Sequence, residues 1–170
     1  MIIVEDGSGK YNSNSYVSVE YADKYFTDTN NNKWLELPNE EKESALIKST
    51  QFIDVVFNWK GKKKTYKQAL NFPRIDLVDK DGYIVEGIPK SLMIAVCEGA
   101  FISSSGKSLF INEESNGNIV SEKIGELSFT YDTATKIHDR TIYSNINALL
   151  RGLYIDTSVN CISTSKVERV

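Results

Sequence analysis

Histidine is nearly missing from this chain of 170 residues, which holds one, His138. It lies in KIHDR beside Asp139, with no motif around any serine or cysteine to complete a nucleophilic triad, and a lone imidazole does not make a zinc site. Cysteine is almost as scarce. Cys97 and Cys161 have no partner at C-x-x-C spacing, so both read as reduced thiols of an intracellular protein. Long apolar runs are lacking too. The opening MIIVEDGSGKYNSNS is too short in apolar residues and carries acids where a signal peptide needs positive charge, and no later window approaches a membrane span. A soluble protein made in the cytoplasm, with no membrane partner, is expected. Excess charge of one sign is also absent, the formal net charge being −3, which offers no global attraction to phosphate. Nucleic-acid binding would therefore rest on a local patch. The acidic pairs Glu40-Glu41 and Glu113-Glu114 fall in a helix start and a polar loop, and GKS at Gly106 to Ser108 lacks the first glycine and preceding strand of a phosphate loop. These absences point away from an enzyme, and no catalytic residue, metal ligand or cofactor is assigned.

What is present is enough apolar material, 41%, to bury a core without staples, and the length suits a single domain over 1–170. The periodicity predicts a mainly α protein: a small bundle of about four helices with a β-hairpin and extended ends. Residues 1–15 read as an extended arm, with apolar Met1 to Val4, β-branched from Ile2 on, leading a Gly-, Ser- and Asn-rich stretch. A helical core follows over 16–105. Ser18 caps VEYADKYF; Asn39 stands as the N-cap of NEEKESALIKSTQFIDVVF, with Leu46, Ile53 and Phe57 on one face and Ala45, Ser49, Phe52 and Val56 beside it. TYKQALNF has room for another short helix ending before Pro73, and Pro89 reads as the first residue of KSLMIAVCEGAFISSS, which Gly106 stops. A hairpin is expected over 119–132, turning at Gly125-Glu126. A last helix over 144–154 and a tail over 155–170 complete the chain.

Two stretches invite a chemical reading. DKDGYIVEGIP, from Asp79 to Pro89, begins like a calcium loop, but in one register Tyr83, Ile84 and Lys90 take positions five, six and twelve, and in the other Leu77 and Ile88 take positions one and twelve. A turn in which Asp accepts local backbone bonds and Gly82 supplies a positive φ is expected instead. The second stretch is basic: Lys60, Lys62, Lys63, Lys64 and Lys67, interleaved with Trp59, Tyr66, Phe72 and Arg74. Cations attract a phosphate backbone and aromatic faces stack on bases, so these lysines are the nucleic-acid-contact candidates.

Taken in order, SYVSVEYADKYF, KWLEL, EKESALIKSTQFID, NWKGKK, QALNFPR, DKDGYIVEGIPKSLMIAV and the ending KVERV resemble a family of tailed-phage head-tail adaptors, or head-completion connector proteins. Some of its members are labelled DnaT-like single-stranded-DNA-binding proteins. The resemblance runs from about Ser15 to Phe101 and again at the hairpin and tail, with Asn71-Phe72 standing where a tryptophan before the proline is usual. It implies a structural virion protein without catalysis, found in the neck and made in the host bacterial cytoplasm. Such a protein forms a homo-oligomeric ring of twelve copies, joins the portal protein to a tail-side neck, stopper or tail terminator protein, and lets DNA pass through its lumen. An alternative expectation is sequence-independent binding of single-stranded DNA. The strand-like segments suited to contact with the portal or a neighbour are Ile2, Ile3 and Val4 in the arm and Lys166, Val167, Glu168, Arg169 and Val170 in the tail.

Overall fold

The computed structural model describes residues 1–109, 121–124, 127–130 and 144–155. Helix α1 (Val19–Asp28) starts where a hydroxyl caps it: Ser18 is extended, and its Oγ accepts the Tyr21 N–H at 3.2 Å. Its buried residues, Ala22 and Phe26, lie one turn apart. The polar segment after it holds a further four-residue helix, α2 (Asn32–Leu35), which seats the wholly buried Trp34 with its ring centroid 4.8 Å from that of Phe26. Helix α3 (Asn39–Val56) begins one residue earlier than its sequence suggests. Extended Pro38 occupies the cap position, and Glu40 and Glu41 stand in the first turn, where the helix dipole favours negative charge. Ala45, Leu46, Ser49, Phe52 and Ile53 form the expected buried stripe, which Phe57 extends just past the helix end.

The chain then pairs briefly as β1 (Lys62–Lys63) and β2 (Arg74–Ile75), antiparallel, with Lys62 opposite Ile75 and Lys63 opposite Arg74. No helix forms over TYKQALNF. The buried Gln68 amide competes for its backbone groups: Oε1 accepts the Thr65 N–H at 2.9 Å, while Nε2 donates to the carbonyls of Leu70 and Pro73 at 2.9 and 3.1 Å. Helix α4 (Lys90–Ser104) has Pro89 as its extended cap rather than its first residue, and Gly106 at φ +79° follows its end. The expected hairpin is β3 (Ser121–Ile124) against β4 (Leu127–Thr130), antiparallel, with Ile124 opposite Leu127; Gly125 and Glu126 lie outside the described residues. Helix α5 (Ser144–Leu150) closes before the expected Tyr154. Residues 151–153 turn, with Gly152 at φ +98°, so that Tyr154 bridges Trp59.

Among the described residues the protein is thus mainly helical, with five helices and two small antiparallel strand pairs. Helix α4 packs against both α3 and α5, and Leu46, Ile53, Leu92, Val96, Ile146 and Leu150 are fully buried where they meet. Each such side chain contributes about 1.5–3 kcal/mol of hydrophobic stabilisation. The α3–α4 approach is close enough that a Cβ on Gly99 would collide with Ser49 Oγ, itself donating to the Val96 carbonyl at 2.9 Å. Cys97 is buried in the same layer, and burial pushes its thiol up to about 12. The segment that resembled a calcium loop is a turn. Asp79 Oδ1 accepts the N–H groups of Asp81 and Tyr83, each at 2.9 Å, Gly82 sits at φ +89°, and Val78 bridges Ile84. No described helix is long and apolar enough to cross a membrane.

Candidate nucleic-acid interface

The basic stretch leaves α3 in extended conformation, and its members separate by direction. Trp59 is turned inward, 5% exposed, with its ring edge-on to the fully buried Phe72 at 4.9 Å. Neither ring of that pair is free to stack on a base, which removes two of the three aromatics that the sequence interleaves with the lysines. Lys60 is partly buried and donates through Nζ to the Gly152 carbonyl at 2.8 Å, while its backbone N–H donates to the Leu153 carbonyl at 3.0 Å. It ties the loop to the segment after α5.

Arg74 is also withdrawn from solution chemistry. Its Nε donates to the Lys60 carbonyl at 2.6 Å, Nη1 to the Asn71 carbonyl at 3.2 Å and Nη2 to the Gly61 carbonyl at 2.8 Å. Partial burial lowers its pKa from the ordinary guanidinium value, against the opposing influence of Tyr16 and Asp54. Five planar donors in a fixed fork suit the collection of converging carbonyls, so Arg74 fastens the base of the loop.

Underneath lies a carboxylate network. Asp54 accepts the Tyr16 hydroxyl at 2.6 Å and the Asn71 N–H at 2.9 Å, and the same phenol oxygen accepts the Phe72 N–H at 3.1 Å. Burial raises the Asp54 carboxyl above the ordinary carboxylate range, although its hydrogen bonds and Lys63 pull the other way. Burial, with Asp54 alongside, likewise holds the Tyr16 phenol far above its ordinary value.

What remains outside is cationic. Lys62, Lys63, Lys64 and Lys67 are all exposed, and none is ion-paired with a carboxylate among the described residues. They occupy four of the six positions from 62 to 67. Lys64 Nζ lies 3.0 Å from the Gly7 carbonyl, and the Ala69 N–H donates to the Lys10 carbonyl at 2.9 Å, so the N-terminal segment lies along the lysine loop. That segment is closed on itself by Glu5, whose carboxylate, 2% exposed, accepts the N–H groups of Gly7, Gly9 and Lys10 at 2.8–3.0 Å and the Ser13 hydroxyl at 3.0 Å. Lys10 has its charge engaged at 3.1 Å by Asp6, whose carboxyl is held far below the usual range by its bonds to Ser8 and Lys10. Two tyrosines of the joined segments are left in solvent, Tyr11 at 78% and Tyr66 at 100% exposure.

The family to which this fold belongs follows from a comparison with protein-family models: the one described as "Putative DnaT-like ssDNA binding protein" matches residues 1–170. The chain belongs to that family. No curated protein and no solved structure matches it.

Within this DnaT-like chain the remaining sequence candidates fall as follows. Ile2 packs partly buried against the core, Ile3 donates its N–H to Asn14 Oδ1 at 2.7 Å, and Val4 forms a parallel bridge to Ser15. The arm therefore uses one backbone edge within its own chain. Lys166, Val167, Glu168, Arg169 and Val170 lie outside the described residues, as do His138, Cys161 and the Glu113-Glu114 pair. Among the described residues no three His, Cys, Asp or Glu side chains gather to hold a metal ion. An open cleft of about 280 Å³ between α3 and α4 is lined by Glu40, Glu41, Ser44, Lys48, Ser103 and Ser104. Its two carboxylates suit it poorly to phosphate. Sequence reading missed Tyr11, because only the fold brings the arm against the lysine loop. It also missed the structural duties of Lys60 and Arg74, which no spacing rule encodes.

Proposed function

We propose that the DnaT-like chain binds single-stranded DNA, without sequence preference, through Lys62, Lys63, Lys64 and Lys67. One observation carries the reading: four exposed lysines, none ion-paired with a carboxylate among the described residues, cluster on a loop that Arg74 and Gln68 brace from within. In a chain of net charge −3, such a cluster is a local field that the rest of the molecule opposes. Its worth to a ligand is the release of condensed counterions as each phosphate is neutralised. The family description supports the same reading. In a fluorescence-anisotropy titration of labelled oligo-dT at low salt, Lys62→Glu, Lys63→Glu and Lys64→Glu together are expected to weaken binding at least about tenfold. Unchanged affinity in that triple variant, or a wild type that binds no oligo-dT, overturns the proposal.

A second reading is favoured by the ordered run of segments from SYVSVEYADKYF to KVERV: a phage neck adaptor, twelve copies of which ring the portal and meet the tail-side stopper or terminator protein. On this reading DNA passes the same lysines in transit. Negative-stain microscopy of the chain mixed with a tailed-phage portal protein is expected to show rings; their absence at saturating protein overturns this reading and leaves the first untouched.

A further inference from the structure

We infer that Tyr66 and Tyr11 are the base-stacking residues of this surface, and that they, rather than the lysines, make it prefer single strands to duplex. The inference rests on the single-strand reading above and adds the origin of its selectivity.

Tyrosine normally buries much of its ring and keeps only the hydroxyl wet. Here Tyr66 is wholly exposed and Tyr11 nearly so, and neither ring has a ring or hydrogen-bond partner among the described residues. A single exposed tyrosine needs no explanation. These two stand on segments that touch each other. The Lys10 carbonyl accepts the Ala69 N–H, Lys64 Nζ reaches the Gly7 carbonyl, and a Cβ on Gly9 would lie 3.1 Å from Thr65 Oγ1, so a bare glycine lets the loops close.

Both segments are also fixed from within, one by the Glu5 carboxylate and the other by the Gln68 amide. The rings are thus carried on preorganised backbone, and stacking a base on them costs little further ordering. The four exposed lysines surround Tyr66 in sequence, placing phosphate-binding charge beside a stacking face. Duplex DNA offers the same phosphates but keeps its bases stacked inside; an unpaired strand offers phosphates and base faces together. Lysines alone cannot tell the two apart, whereas a ring that needs a free base can.

Anisotropy titrations with labelled oligo-dT and with a hairpin duplex of equal phosphate number, run on wild type and on Tyr66→Ala, Tyr11→Ala and Tyr66→Phe, test this. The alanine variants are expected to lose about tenfold for oligo-dT, with duplex affinity and salt slope unchanged, and the phenylalanine variant to bind as wild type. Alanine variants that bind oligo-dT as wild type, or that lose single-strand and duplex affinity equally, overturn the inference while the single-strand reading stands. A wild type that binds neither DNA overturns both. Because both side chains are exposed, matching thermal melts of the variants serve as the folding control.

Discussion

Lys42 shows how far a residue's duty can lie from its appearance. It sits in EEKES, a run that reads as the solvated start of a helix, yet its side chain is only 5% exposed and its ammonium meets Asp23 at 3.0 Å. The same Asp23 oxygen accepts Trp34 Nε1 at 2.8 Å, so one carboxylate fastens α1, α2 and α3 together. No spacing rule pairs residues 23, 34 and 42, and this clamp was not legible before folding. The Asp54 site makes a testable claim at the same scale. Its carboxyl is raised by burial, so the folded state holds the proton more tightly than the unfolded one. The associated stability is fully present below the unfolded value, about pH 4, and is lost as the pH rises through the folded value. Urea unfolding of wild type and Asp54→Asn, compared from about pH 4 to pH 7, is expected to show the wild type losing ground to the variant as pH rises. A difference that stays flat or grows in favour of the wild type would mean that hydrogen bonding, not burial, dominates at this carboxyl.

The elements divide according to how much of their making is local. Helices α1, α3 and α4 were legible because capping and apolar periodicity lie within a few residues, and even their errors, at Asn39 and Pro89, are one residue wide. The stretch before Pro73 was not, since the Gln68 side chain outbids the helix for backbone partners. The α3–α4 contact is an element-scale property with a sharp test. In a free helix Gly→Ala gains about 1 kcal/mol, but at Gly99 the added methyl meets Ser49 Oγ. Gly99→Ala is expected to destabilise by about 2 kcal/mol despite the better propensity, as overpacking does. Adding Ser49→Ala removes the obstructing oxygen and is expected to recover part of the loss, so a double-mutant cycle should show clear coupling. Strict additivity would place the strain elsewhere.

For the molecule as a whole, the sequence marked a basic stretch whose Lys62, Lys63, Lys64 and Lys67 are exposed, but it could not orient Lys60 or what lay between them. Trp59 and Phe72 belong to the core, Arg74 to the loop's foundation, and Tyr11 arrives from the other end of the chain. Aromatic and basic residues look alike on paper whether they face a base or a carbonyl. The resulting charge distribution, a small positive patch on a mildly negative body, has a quantitative consequence in solution. If all four lysines meet phosphate, oligo-dT affinity should fall about fiftyfold between roughly 50 and 200 mM salt, at about 0.7 counterions released per contact on a single strand. A much shallower dependence would show that fewer lysines engage.

The Glu5 ring carries a consequence for the order in which this surface comes into being. Its four hydrogen bonds span no more than eight residues, so the turn that holds Tyr11 closes by short-range contacts. Closing a loop of that size takes on the order of 10–100 ns, far faster than the assembly of a helical core. The amides of Gly7, Gly9 and Lys10 thus belong to a unit that can form early and open by itself. In hydrogen exchange they should follow local opening rather than global unfolding, giving this edge of the molecule a clock of its own.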